Sequence, residues 1–313
     1  MRLAFVFPGQ GSQSVGMLSE LAAENPLIQS TFAEASEALG YDLWDLVVNG
    51  PSDALNQTDK TQPAMLAAGI AMWRVWQQAS PIRPTFFAGH SLGEYTALVA
   101  AGALDFADAI KLVAQRGQFM QQAVPDGEGA MAAILGLDDE VVLAVCNEAA
   151  TLGVVEAVNF NSPGQVVISG NIDAVKQAIV LATAQGAKRA LLLPVSVPSH
   201  CALMKPAAEN LSNAMADITV QTPQVTVIHN VSVASSDDPA DIKVLLAQQL
   251  HHPVRWVETI QYLAAQGVDT LVECGPGKVL AGLTKRIDRS ISALPIFDNK
   301  SLEKASQTLG EQA

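Results

Sequence analysis

Residues 3–7, Leu-Ala-Phe-Val-Phe, form an unbroken apolar run that stops at Pro8-Gly9-Gln10-Gly11. A short run of this kind closed by a turn signal predicts a strand buried on both faces. Residues 85–88 repeat the pattern and run into Gly89-His90-Ser91-Leu92-Gly93, after which 94–101 read as a helix. Strand, glycine-rich turn and helix in that order predict an α/β fold with a parallel sheet. A further helix is expected over 106–123, with Asp105 placed to cap it.

The pattern changes between 130 and 195. Strands are predicted over 130–135, 154–159, 166–169 and 190–195, and helices over 138–150 and 172–185, the second closed by Gly186. The order β-α-β-β-α-β is that of a ferredoxin-like unit. Pro125-Asp-Gly-Glu-Gly129 before it and the proline-bearing 194–198 after it fit two chain crossings. The expected organisation is a discontinuous large α/β domain over 1–128 and 196–300, a small subdomain over 129–195 and a tail over 301–313. In the resumed large domain, helices are expected over 204–215, 241–250, 254–266 and 278–287, strands over 225–228 and 270–273, and a peripheral helix after 299.

Composition adds limits. At 49% apolar and 16% charged the chain can bury a large core, and with aromatics at only 5% that core must be aliphatic. The net charge of −13 argues against a protein that binds nucleic acid with its whole surface. The run 64–76 is broken by Arg74 and no stretch reaches the length of a membrane span, so none is expected. The opening run is too short for a signal peptide, and three cysteines with no CxxC pair suit reduced thiols, so a cytoplasmic setting is expected.

The strongest chemical signal is G-x-S-x-G at 89–93 between a buried strand and a helix. Small residues on each side of Ser91 permit the sharp turn of a nucleophile elbow, which lifts the serine oxygen out of the sheet and aims nearby amides at a developing oxyanion. A serine nucleophile needs a base. Of the five histidines, His90 adjoins the serine and should point elsewhere, His229 ends a strand and fits a satisfied core residue, and His251-His252 form a turn before Pro253. His200, in the loop Pro198-Ser-His-Cys201, ranks first by its setting. The turn after 3–7 lies past a strand end, where ligands bind in open parallel sheets, and offers a second oxyanion donor. Its glycine spacing excludes a P-loop or a dinucleotide fingerprint.

Phe7-Pro-Gly-Gln-Gly-Ser-Gln13, Gly89-His-Ser-Leu-Gly-Glu-Tyr95 and Pro198-Ser-His-Cys-Ala-Leu-Met204 resemble the signatures of the malonyl-CoA:acyl carrier protein transacylase family. Asn159-Phe-Asn-Ser-Pro-Gly-Gln165 and Glu273-Cys-Gly-Pro-Gly-Lys278 fit the same family, and the match runs in order from about 3 to 287. The resemblance implies a hydrolase-like α/β core with a mostly parallel sheet and a ferredoxin-like insert. It implies Ser91 as the nucleophile, His200 as general base and acid, Gln249 as the residue whose main-chain carbonyl orients that histidine, and the amides of Gln10 and Leu92 as the oxyanion hole. It also places an arginine, Arg116, on the substrate's free carboxylate, and a guanidinium can hold a carboxylate with two parallel hydrogen bonds. By itself Arg116 would read as a solvated helix charge. The apolar neighbours Leu112, Val113, Phe119 and Met120 instead suggest burial, and a buried cation needs an anion.

The implied reaction moves malonyl from malonyl-CoA through an ester on Ser91 to the phosphopantetheine thiol of acyl carrier protein, supplying fatty acid or polyketide synthesis. It needs no bound cofactor and no metal, and the chain is expected to act as a monomer. Both partners are anionic, so local basic groups must attract them; Lys188-Arg189, Lys278 and Lys285-Arg286 are candidates. Two other classes share parts of the pattern. A serine esterase or thioesterase would use the same elbow, would normally add an Asp or Glu, and has no need of Arg116. A docking protein that merely kept the fold would need none of Gln10, Ser91, Arg116, His200 and Gln249.

Overall fold

The computed structural model describes residues 2–195 and 197–311. Its strands are β1 (Leu3–Phe7), β2 (Phe86–Gly89), β3 (Gly129–Leu135), β4 (Val155–Ser162), β5 (Gln165–Asn171), β6 (Arg189–Leu192), β7 (Thr226–Ile228), β8 (Thr270–Cys274) and β9 (Ser292–Ile296). Five of them form one sheet in the order β7-β2-β1-β8-β9, every neighbouring pair parallel. The other four form an antiparallel sheet in the order β4-β5-β3-β6. This is the α/β core and ferredoxin-like insert that the sequence pattern predicts.

β1 lies at the middle of the parallel sheet and has no exposed side. Alternate residues of a strand point to opposite faces. Leu3, Phe5 and Phe7 join the core beneath the helix Thr58–Ala79, while Ala4 and Val6 join a second core with the helices Trp256–Ala265 and Val279–Ile287. Continuous hydrophobicity at 3–7 is therefore the signature of a strand covered by helices on both sides. In the insert, Ala130, Ala132 and Ile134 of β3 face the core under the helices Asp139–Ala149 and Ile172–Ala184. Met131, between them, turns to a separate cluster with Val158, Val167 and Cys201. The insert is tied back by Phe160 N–H donating to Val254 O at 3.1 Å and Val254 N–H donating to Val158 O at 2.8 Å.

Five helices between Ser19 and Ala79 have no counterpart among the elements expected from the sequence. The long one, Thr58–Ala79, is buried without a break from Thr61 to Trp73, so it lacks the polar face that gives a helix its period. β9 was also unexpected; its Ser292-Ala-Leu-Pro-Ile296 carries a proline inside the run. The predicted strand 190–195 ends at Leu192, and the helix expected from 204 is preceded by a 3₁₀ turn, Ala202–Met204. The helix Asn299–Gly310 begins on a capping box between Asp298 and Ser301. The expected junction residue 196 and the end of the expected tail, 312–313, lie outside the described residues.

Two close approaches set the stage for the site. The loop after β1 lies on the turn after β2: His90 N–H donates to Phe7 O at 3.0 Å, and a Cβ on Gly93 would collide with that same Phe7 carbonyl. The helix Phe106–Gln122 crosses Thr58–Ala79 at Gly117, where a Cβ would stand 2.6 Å from Asp59 Cα. No helix among the described residues is long and apolar enough to cross a membrane.

A Cβ on Gly89 would fall on the backbone of Gly93, which cannot move without opening the elbow. Gly89→Ala should cost about 3 kcal/mol or more of folding stability, measured by urea denaturation against wild type. A loss below about 0.5 kcal/mol would show that the turn is not tightly closed.

Candidate active site

β2 ends at Gly89 and the helix Gly93–Ala100 starts at once, leaving His90, Ser91 and Leu92 to make the turn. Ser91 takes φ 53°, a left-handed conformation that costs a non-glycine residue free energy. Ser91 is one of four non-glycines with positive φ among the described residues, and His200, at 67°, is a second. Two strained residues meet at one point: Ser91 Oγ and His200 Nε2 are 2.7 Å apart. The other ring nitrogen, Nδ1, donates to the Gln249 carbonyl at 2.7 Å, which fixes the tautomer so that Nε2 faces the serine as an acceptor. His200 N–H donates to Leu250 O at 2.9 Å, locking the loop to the end of the helix Pro239–Gln249.

Arg116 is fully buried, with 1% of its surface exposed. Among the described residues no carboxylate touches it. Nη1 donates to Gln62 Oε1 at 2.8 Å, and Nη2 donates to Gln249 Oε1 at 2.9 Å and to Ser91 Oγ at 3.4 Å. Its Nε has no partner, and its carbon stands 5.3 Å from the centre of the Tyr95 ring. The anion that burial was expected to demand is therefore absent from its direct contacts; neutral oxygens hold the guanidinium in its place.

Ser91, His200 and Arg116 open on a cavity of about 500 Å³ that Gln10, Leu92 and His90 also line. Its far wall is built from the insert, through Met131 and Asn159. Burial, reinforced by the positive charge of Arg116, pushes His200 down to about 3, so the imidazole is neutral over the physiological range. Burial pushes Tyr95 up to about 12, so it stays protonated.

The remaining histidines are accounted for. His90 Nε2 pairs with Asn161 Oδ1 at 2.8 Å and is lowered by burial; its ring leans on Trp256. His229 Nδ1 meets Glu94 Oε1 at 2.7 Å, both fully buried. His251 and His252 stack on each other with ring centres 4.3 Å apart. The basic candidates do not form one patch. Arg286 turns to Gln165, while Lys278 and Lys285 line a separate cleft of about 860 Å³ with Arg289, Lys300 and Lys304.

Several residues that build the site stand outside the candidates that the sequence motifs mark. Asn230 accepts from Ser91 N–H at 2.8 Å and donates to Gly89 O at 2.6 Å, bracing both ends of the elbow. Glu94 accepts from Asn230 N–H at 3.0 Å and from Gln249 Nε2 at 2.7 Å. Gln62 holds Arg116. The available signals are a polar pair, His229-Asn230, just past β7, and one amide, Gln62, within the buried stretch 61–73 of the helix Thr58–Ala79.

The comparisons agree with this architecture. The acyl transferase domain family matches residues 4–300, which gives the class. The malonyl CoA-acyl carrier protein transacylase of Salmonella typhimurium is 57% identical over 97% of this chain and 98% of its own, and that of Escherichia coli is 56% identical over the same shares. An acyl carrier protein S-malonyltransferase from Vibrio cholerae, solved by crystallography, superposes with a TM-score of 0.95 at 58% identity, covering 97% of this chain and 100% of that one. A solved complex of a type II PKS acyl-carrier protein with its malonyl-transacylase superposes with a TM-score of 0.97 at 53% identity, covering 98% and 100%. Matched end to end at this identity, the chain belongs to the malonyl CoA-acyl carrier protein transacylase family.

His200 gives a pH prediction with a defined sign. Its value is 6.5 when free and about 3 in the fold. Its contribution to stability is whole above 6.5 and is lost as pH falls toward 3, because the unfolded chain takes up the proton first. The kcat/KM profile, which reports the free enzyme, should show no acid limb from His200 between about pH 8 and about pH 5. A limb near 6.5 that vanishes in His200→Asn would contradict the burial described here.

Proposed function

We propose that this chain transfers the malonyl group of malonyl-CoA to the phosphopantetheine thiol of acyl carrier protein by way of a malonyl ester on Ser91. The observation that carries the reading is the convergence on one oxygen: Ser91 Oγ lies 2.7 Å from a neutral imidazole nitrogen and 3.4 Å from a buried guanidinium. A base and a carboxylate receptor so placed suit a substrate with a thioester at one end and a carboxylate at the other.

In the first half-reaction His200 Nε2 takes the Ser91 proton as Oγ bonds to the thioester carbon. The carbonyl electrons move to oxygen, where the main-chain amides of Gln10 and Leu92 receive the charge. They return as the carbon–sulfur bond breaks, and the coenzyme A sulfur leaves with the proton held by His200. In the second half the carrier's thiol gives its proton to His200, sulfur attacks the ester carbon, and Ser91 leaves with that proton restored. The Gln249 carbonyl orients the imidazole and stabilises its charged form, taking the place of the acidic member of a triad. Arg116 holds the malonyl carboxylate throughout; its Nε and the second N–H of Nη1 carry no protein partner, and Nε has almost no exposed surface. Coenzyme A is substrate and phosphopantetheine belongs to the carrier, so the chain's own residues supply all of this chemistry. The reading places the enzyme in the cytoplasm, delivering extender units to fatty acid or polyketide synthesis.

Brief exposure to malonyl-CoA should give one malonyl adduct by intact-mass spectrometry, mapped to Ser91 and missing from Ser91→Ala. Adding holo carrier protein should discharge it onto the carrier; free malonate as the main product would make the chain a hydrolase instead.

Arg116→Ala should lower kcat/KM for malonyl-CoA by about 10³-fold while acetyl-CoA changes by less than about tenfold, because a site built for a polar group rejects substrates lacking it. Equal losses on both substrates would make Arg116 a purely structural residue.

A further inference from the structure

A guanidinium closed off from water and held only by neutral oxygens needs an anion within reach. The polar groups around it exclude one another in turn. Tyr95 is pushed up to about 12 and stays protonated, and His200 is pushed down to about 3 and stays neutral. His229 pairs through Nδ1, and its Nε2 is buried without a partner, an arrangement that suits a ring with no proton there. Gln62 and Gln249 carry no charge. Glu94, itself 1% exposed, is the anion left among the described residues of this cluster.

Glu94 does not touch Arg116. It reaches the guanidinium through one amide: Gln249 Nε2 donates to Glu94 Oε2 at 2.7 Å, and Gln249 Oε1 accepts from Arg116 Nη2 at 2.9 Å. The second Nε2 proton goes to Ser91 O at 3.0 Å. A carboxylate only accepts, so Glu94 permits one orientation of that amide, the one that turns its oxygen to the arginine. Burial lowers Arg116, and among the groups that act the other way the charge of Glu94 favours its protonated form.

We propose that Glu94 is the buried counter-ion of Arg116, acting through the Gln249 side chain, and that it sets how tightly the site grips the substrate's carboxylate. The inference rests on the transferase reading and names the specificity-determining partner of its carboxylate receptor. A carboxylate bonded directly to Arg116 would fill the donor fork, and the substrate would have to displace it. Removed by one amide, the anion balances the charge and leaves donors open. It also repels the incoming carboxylate, so the substrate is recognised without being trapped before it passes to the carrier.

The sign of the effect decides the test. Glu94→Gln keeps the shape: its oxygen can face Asn230 and Gln249, and its amide can face a His229 ring carrying its proton on Nε2. The charge is lost, and the His229 proton moves to a buried Nε2 that has no acceptor, a general cost that the acetyl-CoA reference absorbs. Free malonate should then bind about tenfold tighter by calorimetry, relative to acetyl-CoA, which lacks the carboxylate and reports general damage. The unliganded variant should melt lower than wild type and gain more on saturation with malonate. Glu94→Asp keeps the charge at the expense of shape, and its malonate-to-acetyl-CoA ratio should stay within about twofold of wild type. Unchanged or weaker malonate binding in Glu94→Gln overturns the proposal, as does a Glu94→Asp ratio that shifts with it. If the Gln variant does not fold, the Asp variant decides alone, by keeping or losing the wild-type ratio. Malonate binding needs no turnover, so wild type that binds malonate but forms no malonyl-serine defeats the transferase reading and leaves this inference standing.

Discussion

The site rests on the contact between two backbone turns. The loop that leaves β1 and the elbow that leaves β2 are pressed together at Gly9 and Gly93, and the elbow closes on itself at Gly89, three places where a side-chain carbon would strike main chain. That closeness brings Gln10 to the same cavity as Ser91 and Leu92. The strained backbone of Ser91 is held by the Asn230 side chain on one side and the Gln249 side chain on the other. Strain of this kind persists where the surroundings over-determine it, and here two amides, a buried carboxylate and three glycines do so.

The polar groups beneath the elbow act as one unit. Glu94 joins His229, Asn230 and Gln249; Asn230 joins Gly89 and Ser91; Gln249 joins Ser91, Arg116 and, through its carbonyl, His200. Buried networks of this sort hold a unique geometry when their members are satisfied. Two of the buried atoms without a partner, Arg116 Nε and His229 Nε2, differ in meaning. The first belongs to a residue that lines the cavity, although the atom itself has almost no exposed surface. The second is a ring nitrogen sealed in the core, and it reports on where the proton of His229 sits.

Much of this was legible before any coordinates. Leu3–Phe7 announced a central strand because nothing polar interrupts it, and the glycines around Ser91 announced a turn that only small residues allow. The insert was legible because its elements are short, alternate cleanly and are punctuated by glycine and proline. The helices between Ser19 and Ala79 were not, and for the longest the cause is physical: a helix buried on all sides has no periodic pattern to read. Side-chain networks were legible only through the family motifs. Gln62, Glu94 and Asn230 lie far apart in sequence, and the local signals, a polar pair past β7, an amide in a buried helix and a carboxylate beside the elbow, do not say which partners they meet.

The two borders of the parallel sheet carry a separate consequence. β7 is only three residues long. On the other border, Ser292 N–H and Ile296 O bond inward to the β8 side, so by alternation Pro295 looks outward, where it has no N–H to offer. A stub on one margin and a missing donor on the other give a neighbouring molecule no continuous row of amides to zip onto. A chain that must stay dispersed while a partner docks and departs is thereby guarded against growing its sheet into another copy.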